Sequence, residues 1–210
     1  MASIIDDALN QLELYLLEVE EKYLKTHLGT TEIPSEYMFD VKSYCILCHA
    51  AFEEFVENIC LALMNELSEN YILHQRISYS TLCLLHFEGN AEDVNEDNWN
   101  DNQRLFDYFK NKLGIVKSSY SKFVMEKNHG VGLKYLKKLL IPIGLDIPQD
   151  PVQQNSLKQL ANFRGGYAHT SRRVATTLSP EDALRYVYDI YAMMKEIATK
   201  ARHVHYYSIH

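Results

Sequence analysis

The sequence predicts an all-α fold, a helical bundle forming a single domain over residues 1–210 around one long central helix. Three observations carry this. Apolar residues recur at three- and four-residue spacing through most of the chain, no stretch sustains the two-residue alternation of a strand, and only 8 Gly and 5 Pro punctuate 210 residues. With 47% hydrophobic and 23% charged residues the chain can bury a sizeable core, which excludes disorder and collagen, and the lack of an internal period excludes a repeat solenoid.

The elements follow in order. Ile5, Ala8, Leu9, Leu12, Leu16, Val19 and Tyr23, with glutamates mainly between them, predict an amphipathic helix over 3–25. Gly29, Thr30, Thr31 and Pro34 predict a loop over 27–34, after which Ser35 is the expected cap of a helix running to about residue 70. Its stripe of Val41, Tyr44, Cys45, Cys48, Phe52, Phe55, Ile59, Leu63 and Leu67 makes it the central helix. Residues 71–87 read as helical, and 88–101, with six acids and no base, as a surface loop. Helical spacing resumes over 102–127 and 131–142, until Pro142, Gly144 and Pro148 end it. Pro151 opens a helix carrying Val152, Leu157, Leu160 and Phe163, which Gly165-Gly166 is expected to interrupt. Ser179-Pro180-Glu181-Asp182 combines a cap, a first-turn proline and first-turn acids, and predicts a last helix to about residue 202.

Charge is divided along the chain. Residues 1–101 hold 4 Lys/Arg against 20 Asp/Glu, a balance of −16, and residues 102–210 hold 17 against 8, a balance of +9. The positive excess gathers over 129–173, where 7 Lys/Arg face 2 Asp, enough for a local phosphate-tracking surface. Met1–Asp7 has no basic segment ahead of an apolar run, so neither a signal peptide nor a membrane span is expected there. The resulting expectation is a cytoplasmic protein with no membrane partner and with Cys45, Cys48, Cys60 and Cys83 as reduced thiols.

Several motif matches give way to simpler readings. Cys45-Ile-Leu-Cys48-His49 has the spacing of a haem-attachment or redox motif, yet both thiols fall on the apolar stripe of the long helix and read as core residues. Asp93-Val-Asn95-Glu-Asp97 opens like a calcium loop, but its sixth and twelfth positions hold Asn98 and Arg104, and a positive charge where the ion needs a carboxylate argues against it. Gly130 and Gly132 are read as opening a helix, and His203, His205 and His210 as part of a frayed tail. The expectation is therefore no metal and no cofactor.

Phe163-Arg164-Gly165-Gly166-Tyr167-Ala168-His169-Thr170-Ser171-Arg172-Arg173 remains. On a regular helix Arg164 and His169 would differ by about 140° in direction. The glycine pair is therefore expected to let the chain fold back and bring guanidinium and imidazole together, in a basic cluster between apolar helices.

Arg164-Gly-Gly-Tyr-Ala-His169 resembles the Arg-x4-His signature of the HEPN superfamily, and Ala50-Ala51-Phe52-Glu53-Glu54-Phe55 resembles the acid-plus-aromatic segment of its stand-alone RiboL-PSP-HEPN group. Gly165 stands where members often carry Asn, Asp or His. Ser171 replaces the tyrosine of the subgroup modified by nucleotidyltransferase partners. The resemblance implies a metal-independent endoribonuclease that leaves 2′,3′-cyclic phosphate and 5′-hydroxyl ends on single-stranded or loop RNA, acting as a toxin or phage-defence effector. It further implies a homodimer with a composite site, restrained by an antitoxin or other regulatory protein. His169 would be the general base or acid and Arg164 the phosphate ligand. Glu53 or Glu54 would orient them. Lys158, Asn162, Tyr167, Ser171, Arg172 and Arg173 would contact substrate. The competing reading is a non-catalytic HEPN-like helical module that binds a nucleotide or protein partner as a regulatory subunit.

Overall fold

The computed structural model describes residues 2–87, 105–128, 130–169 and 178–204. Its first helix, α1 (Ala2–Tyr23), buries Ile5, Leu12, Leu16 and Val19. That stripe packs on α2 (Pro34–His74), whose 41 residues make it the longest described element. The expected cap at Ser35 is displaced by two residues. Pro34 takes the first turn, where its missing N–H costs nothing, and Ile33 N–H donates to Glu36 Oε2 at 2.9 Å instead. Beyond α2 the reading of 71–87 as one helix also changes. Gln75 turns left-handed at φ 54°, which ends α2, and Ser78 caps a separate short helix, α3 (Tyr79–Leu85), by accepting from Thr81 N–H.

The acidic stretch 88–101, with its calcium-like start at 93–97, lies outside the described residues. The chain returns in α4 (Leu105–Lys122), which passes into a π-helical turn over Phe123–Lys127, closed by Asn128 N–H on Phe123 O. Next come α5 (Leu133–Leu140), a 3-10 turn (Ile141–Ile143), α6 (Pro151–His169) and α7 (Pro180–His203). Gly132 is the N-terminal flanking residue of α5, as expected, and Ser179 caps α7 by accepting from Asp182 N–H. His203, read as part of a tail, instead completes α7, with its Nδ1 2.7 Å from Thr199 O.

No strand occurs among the described residues, and their buried apolar side chains, Leu67 apart, form one cluster. Helices α1, α2, α6 and α7 are packed on one another, and cross-links fix their directions. Ser156 donates to Asp189 and Lys200 to Asp146 O, so α6 and α7 run antiparallel. Tyr188 to Glu20 and Arg202 to Asp6 do the same for α1 and α7. Cys45, Cys48 and Cys60 are fully buried in this core as free thiols, and burial pushes those of Cys45 and Cys60 up to about 12. They are packing residues, as the stripe predicts.

The expected break at Gly165-Gly166 does not occur. Helix α6 continues through both glycines to His169. Two internal glycines cost about 1 kcal/mol each relative to alanine. The rest of α6 offsets this: Asp150 Oδ1 caps Val152 N–H at 2.7 Å, and Ser156, Leu157 and Leu160 are buried against the bundle. Replacing Gly166 by Ala should therefore stabilise the protein by about 0.5–1 kcal/mol in urea unfolding. A broken helix with a left-handed residue at that position would be destabilised by the same change.

The connection from α1 to α2 carries a histidine clasp. His27 lies between two carboxylates, with Nδ1 2.5 Å from Glu32 and Nε2 2.9 Å from Asp40. The hydrogen bonds from Asp40 and then Glu32 hold its pKa above the ordinary value. The clasp's contribution is thus complete below the unfolded histidine value of about 6.5 and fades as pH rises through the folded one. Melting temperatures of wild type and His27→Gln should differ most on the acid side of pH 6.5 and converge on the alkaline side.

Candidate functional site

Arg164 takes its direction from the apolar stripe of α6. Leu157 and Leu160 are fully buried, and Arg164 lies one turn beyond Leu160 on the same face, so a guanidinium occupies what is geometrically a core position. It is half-buried there. Its neighbour across the interface is His49 of α2, which is 2% exposed. Burial first, and the charge of Arg164 second, push the His49 imidazole down to about 4, so the ring is neutral at physiological pH.

His49 begins a polar ridge on α2. Glu53 and Glu57 follow at four-residue intervals, share its face and are both half-buried. At the far end Asn128 is 5% exposed, and its Nδ2 donates to Glu57 Oε1 at 2.7 Å and to Gly130 O. The π-helical turn before Asn128 delivers it: the extra residue shifts the helical register, and such turns recur at functional sites. Gly130, at φ 138°, then brings the backbone back over His49. A Cβ built there would stand 3.6 Å from the imidazole Cε1.

The structure separates the two glutamates offered as alternatives. Glu53 is on the His49 face of α2. Glu54 is about 140° further round, exposed, and lines an open groove with Ala8, Gln11 and Tyr15 of α1. Lys158 and Asn162 are exposed on the outer side of α6, away from Arg164. Position 169 is seven residues beyond Asn162 and eleven beyond Lys158, which places its Cα on the same outer stripe to within about 20°. Arg164 and His169 are therefore not gathered by a folded-back chain, as the glycine pair suggested. The unbroken helix points position 164 at α2 and carries position 169 on the outer side. Tyr167 is in the last turns of α6, and Ser171, Arg172 and Arg173 lie outside the described residues.

The basic surface is partly visible. Lys134, Lys137 and Lys138 are exposed on α5, whose Tyr135 packs beside Gly130, and Lys158 is exposed on α6. Among the described residues no group of three or more His, Cys, Asp or Glu side chains could hold a metal ion, and no helix is long and apolar enough to cross a membrane.

His49, Glu57 and Asn128 were not picked out by sequence reasoning as site residues. His49 was weighed only as the end of a haem-like motif. A better signal was available, since an ionisable residue stands on the apolar stripe of each of two helices, at positions 49 and 164.

The described residues are all-helical, and the half-buried Arg164 near the end of α6, with a histidine five residues on, keeps the Arg-x4-His spacing that resembles the HEPN signature. The RiboL-PSP-HEPN family profile matches residues 13–203, nearly the whole chain, and the protein belongs to that family. Membership points at a coarse level to RNA-related, nuclease-type chemistry. No curated protein and no solved structure gives a match.

The ridge makes its own prediction. Asn128→Ala would strand the half-buried Glu57 carboxylate and remove the bond to Gly130 O, so urea unfolding should show a loss of about 1–3 kcal/mol.

Proposed function

We propose that the protein is a metal-independent endoribonuclease of single-stranded or loop RNA. The observation that carries this reading is the set of Arg164 within the HEPN family match: a permanent cation on a core position, partly withdrawn from water beside a neutral histidine. A guanidinium placed so binds phosphate more strongly than one in open water, because its charge is less screened.

RNA carries its own nucleophile. The 2′-hydroxyl attacks the adjacent phosphorus, the 2′-O–P bond forms and the P–O5′ bond breaks. The 2′ proton passes to a base, and the leaving 5′ oxygen takes a proton from an acid. The products are a 2′,3′-cyclic phosphate and a 5′-hydroxyl, and no metal or outside water is consumed. Arg164 holds the non-bridging oxygens, where negative charge grows in the transition state. His169 supplies the proton transfer, for which imidazole is suited near neutrality.

One imidazole cannot stand on both sides of one phosphorus, so the reading includes a homodimer in which the two copies' His169 residues divide the base and acid roles. The position of residue 169 on the outer stripe of α6 supports this, because that side is free of the bundle. Gly165 and Gly166 flank the same stripe, leaving bare backbone where a second copy or an RNA strand can approach closely. Glu53 is the orienting carboxylate of this reading. Lys158, Asn162, Tyr167, Ser171, Arg172 and Arg173, with the α5 lysines, track the RNA backbone and its bases. A toxin or phage-defence role in the cytoplasm, restrained by an antitoxin-like protein, fits an RNA-cutting enzyme whose acidic N-terminal half suits a basic partner.

The test is cleavage of end-labelled RNA in EDTA by wild type, Arg164→Ala and His169→Ala, each verified by circular dichroism. Wild type should cut, and each variant should lose at least about a hundredfold in rate. Intact RNA with wild type, or equal cutting by the variants, would leave the non-catalytic binding module as the correct reading.

A further inference from the structure

His49 is a buried polar side chain to which the reaction above assigns no step. It stands on the inward face of α2, 2% exposed, and its Nδ1 is buried with no hydrogen-bond partner among the described residues. The backbone at Gly130 closes over one edge of the ring: the Cβ position 3.6 Å from His49 Cε1 is also 3.8 Å from Tyr135 Cδ2. Arg164 stands half-buried on the face of α6 that carries the buried Leu157 and Leu160, α6 is packed on α2, and the charge of Arg164 acts on the ring. An aliphatic residue would fill this place without stranding a ring nitrogen, and buried unpaired polar groups are rare because they cost stability.

The chemistry of the two side chains explains the arrangement. A guanidinium has five N–H donors and no acceptor. Packed wholly against carbon, its inner donors would go unmet and the side chain would swing outward to water. A neutral imidazole offers them a lone pair while adding no second positive charge. We infer that His49 is a positioning residue for Arg164, a polar floor between α2 and α6 that offers the inner side of the guanidinium one acceptor in place of carbon and leaves its outer N–H pair for an RNA phosphate. The unpartnered Nδ1 is the acceptor that Arg164 takes up as it tightens on that phosphate. This inference rests on the ribonuclease reading for its ligand, and on the structure alone for its geometry.

Two measurements test it separately. The first is affinity for a 2′-O-methyl RNA, which binds but lacks the nucleophile, measured for wild type, His49→Phe and His49→Gln in Arg164 and Arg164→Ala backgrounds. His49→Phe should weaken binding roughly tenfold when Arg164 is present and leave it unchanged when Arg164 is absent, and His49→Gln, which restores an acceptor, should recover most of the loss. An equal loss in both backgrounds, or none in either, would overturn the inference, since a packing residue does not act through Arg164. The second is the 15N relaxation of the Arg164 Nε–Hε group with saturating inorganic phosphate in place of RNA. Its order parameter should fall in His49→Phe and return in His49→Gln, and an unchanged value overturns the inference. A wild type that neither binds nor cuts RNA defeats the ribonuclease reading, while the relaxation result still decides the role of His49.

Discussion

The packing of α6 against α2 is the constraint on which the rest of the site depends. Leu157 and Leu160 must face the bundle to be buried, and once they do, the helical repeat sends Arg164 to the same side. The hydrophobic gain is worth about 1.5–3 kcal/mol for each leucine. That is comparable to the penalty for withdrawing part of a guanidinium from water, so the core can hold the arginine inward provided polar groups meet it. α2 places His49 near it, at the head of a ridge that Glu53 and Glu57 continue along the helix.

The same geometry explains why the two signature residues face different ways. A run of four residues between Arg and His cannot place both on one face of an unbroken helix, whatever lies between. The Cα of position 164 therefore lies on the buried face of α6 and that of position 169 about 140° round the helix from it. Position 164 thus shares the face of α6 that carries Leu157 and Leu160, with His49 near it on α2, while the Cα of position 169 lies on the stripe of Lys158 and Asn162. The glycine pair belongs to the outward side. Its effect is to thin the helix surface there rather than to bend the chain.

Much of the architecture was legible because it rests on periodicity. The helices near 3–25, 131–142 and 179–202 were expected within a few residues of where they stand, since long stripes and a strong Ser179-Pro180 cap leave few alternatives. The misreadings came from local signals that tertiary context overrides. Gly165-Gly166 looked like a break, because glycine favours one in isolation, but the anchored first turns of α6 carry the helix through. The break after His74 carried no glycine or proline, and depends on Gln75 adopting a left-handed conformation that few non-glycine residues favour. The π turn before Asn128 has no one-dimensional signature at all.

The candidate site was legible in its signature motif and not in the residues packed around it. Arg164 and His169 stand out by their spacing, which carries the resemblance to the family whose profile matches residues 13–203. His49 does not, because its importance lies in which residue sits across the α2–α6 contact, and pairing between helices is not encoded in the spacing of either. Glu53 and Glu54 were equivalent by sequence for the same reason, and separate once α2 is seen from the direction of α6.

The account stands or falls on whether this site moves protons on RNA without a metal. The most direct measurement is 31P NMR of the products formed from a short RNA in EDTA. The account predicts a 2′,3′-cyclic phosphate resonance that grows with wild-type protein and is missing with His169→Ala. A linear phosphate as the primary product, or cleavage that stops when EDTA is added, would contradict it.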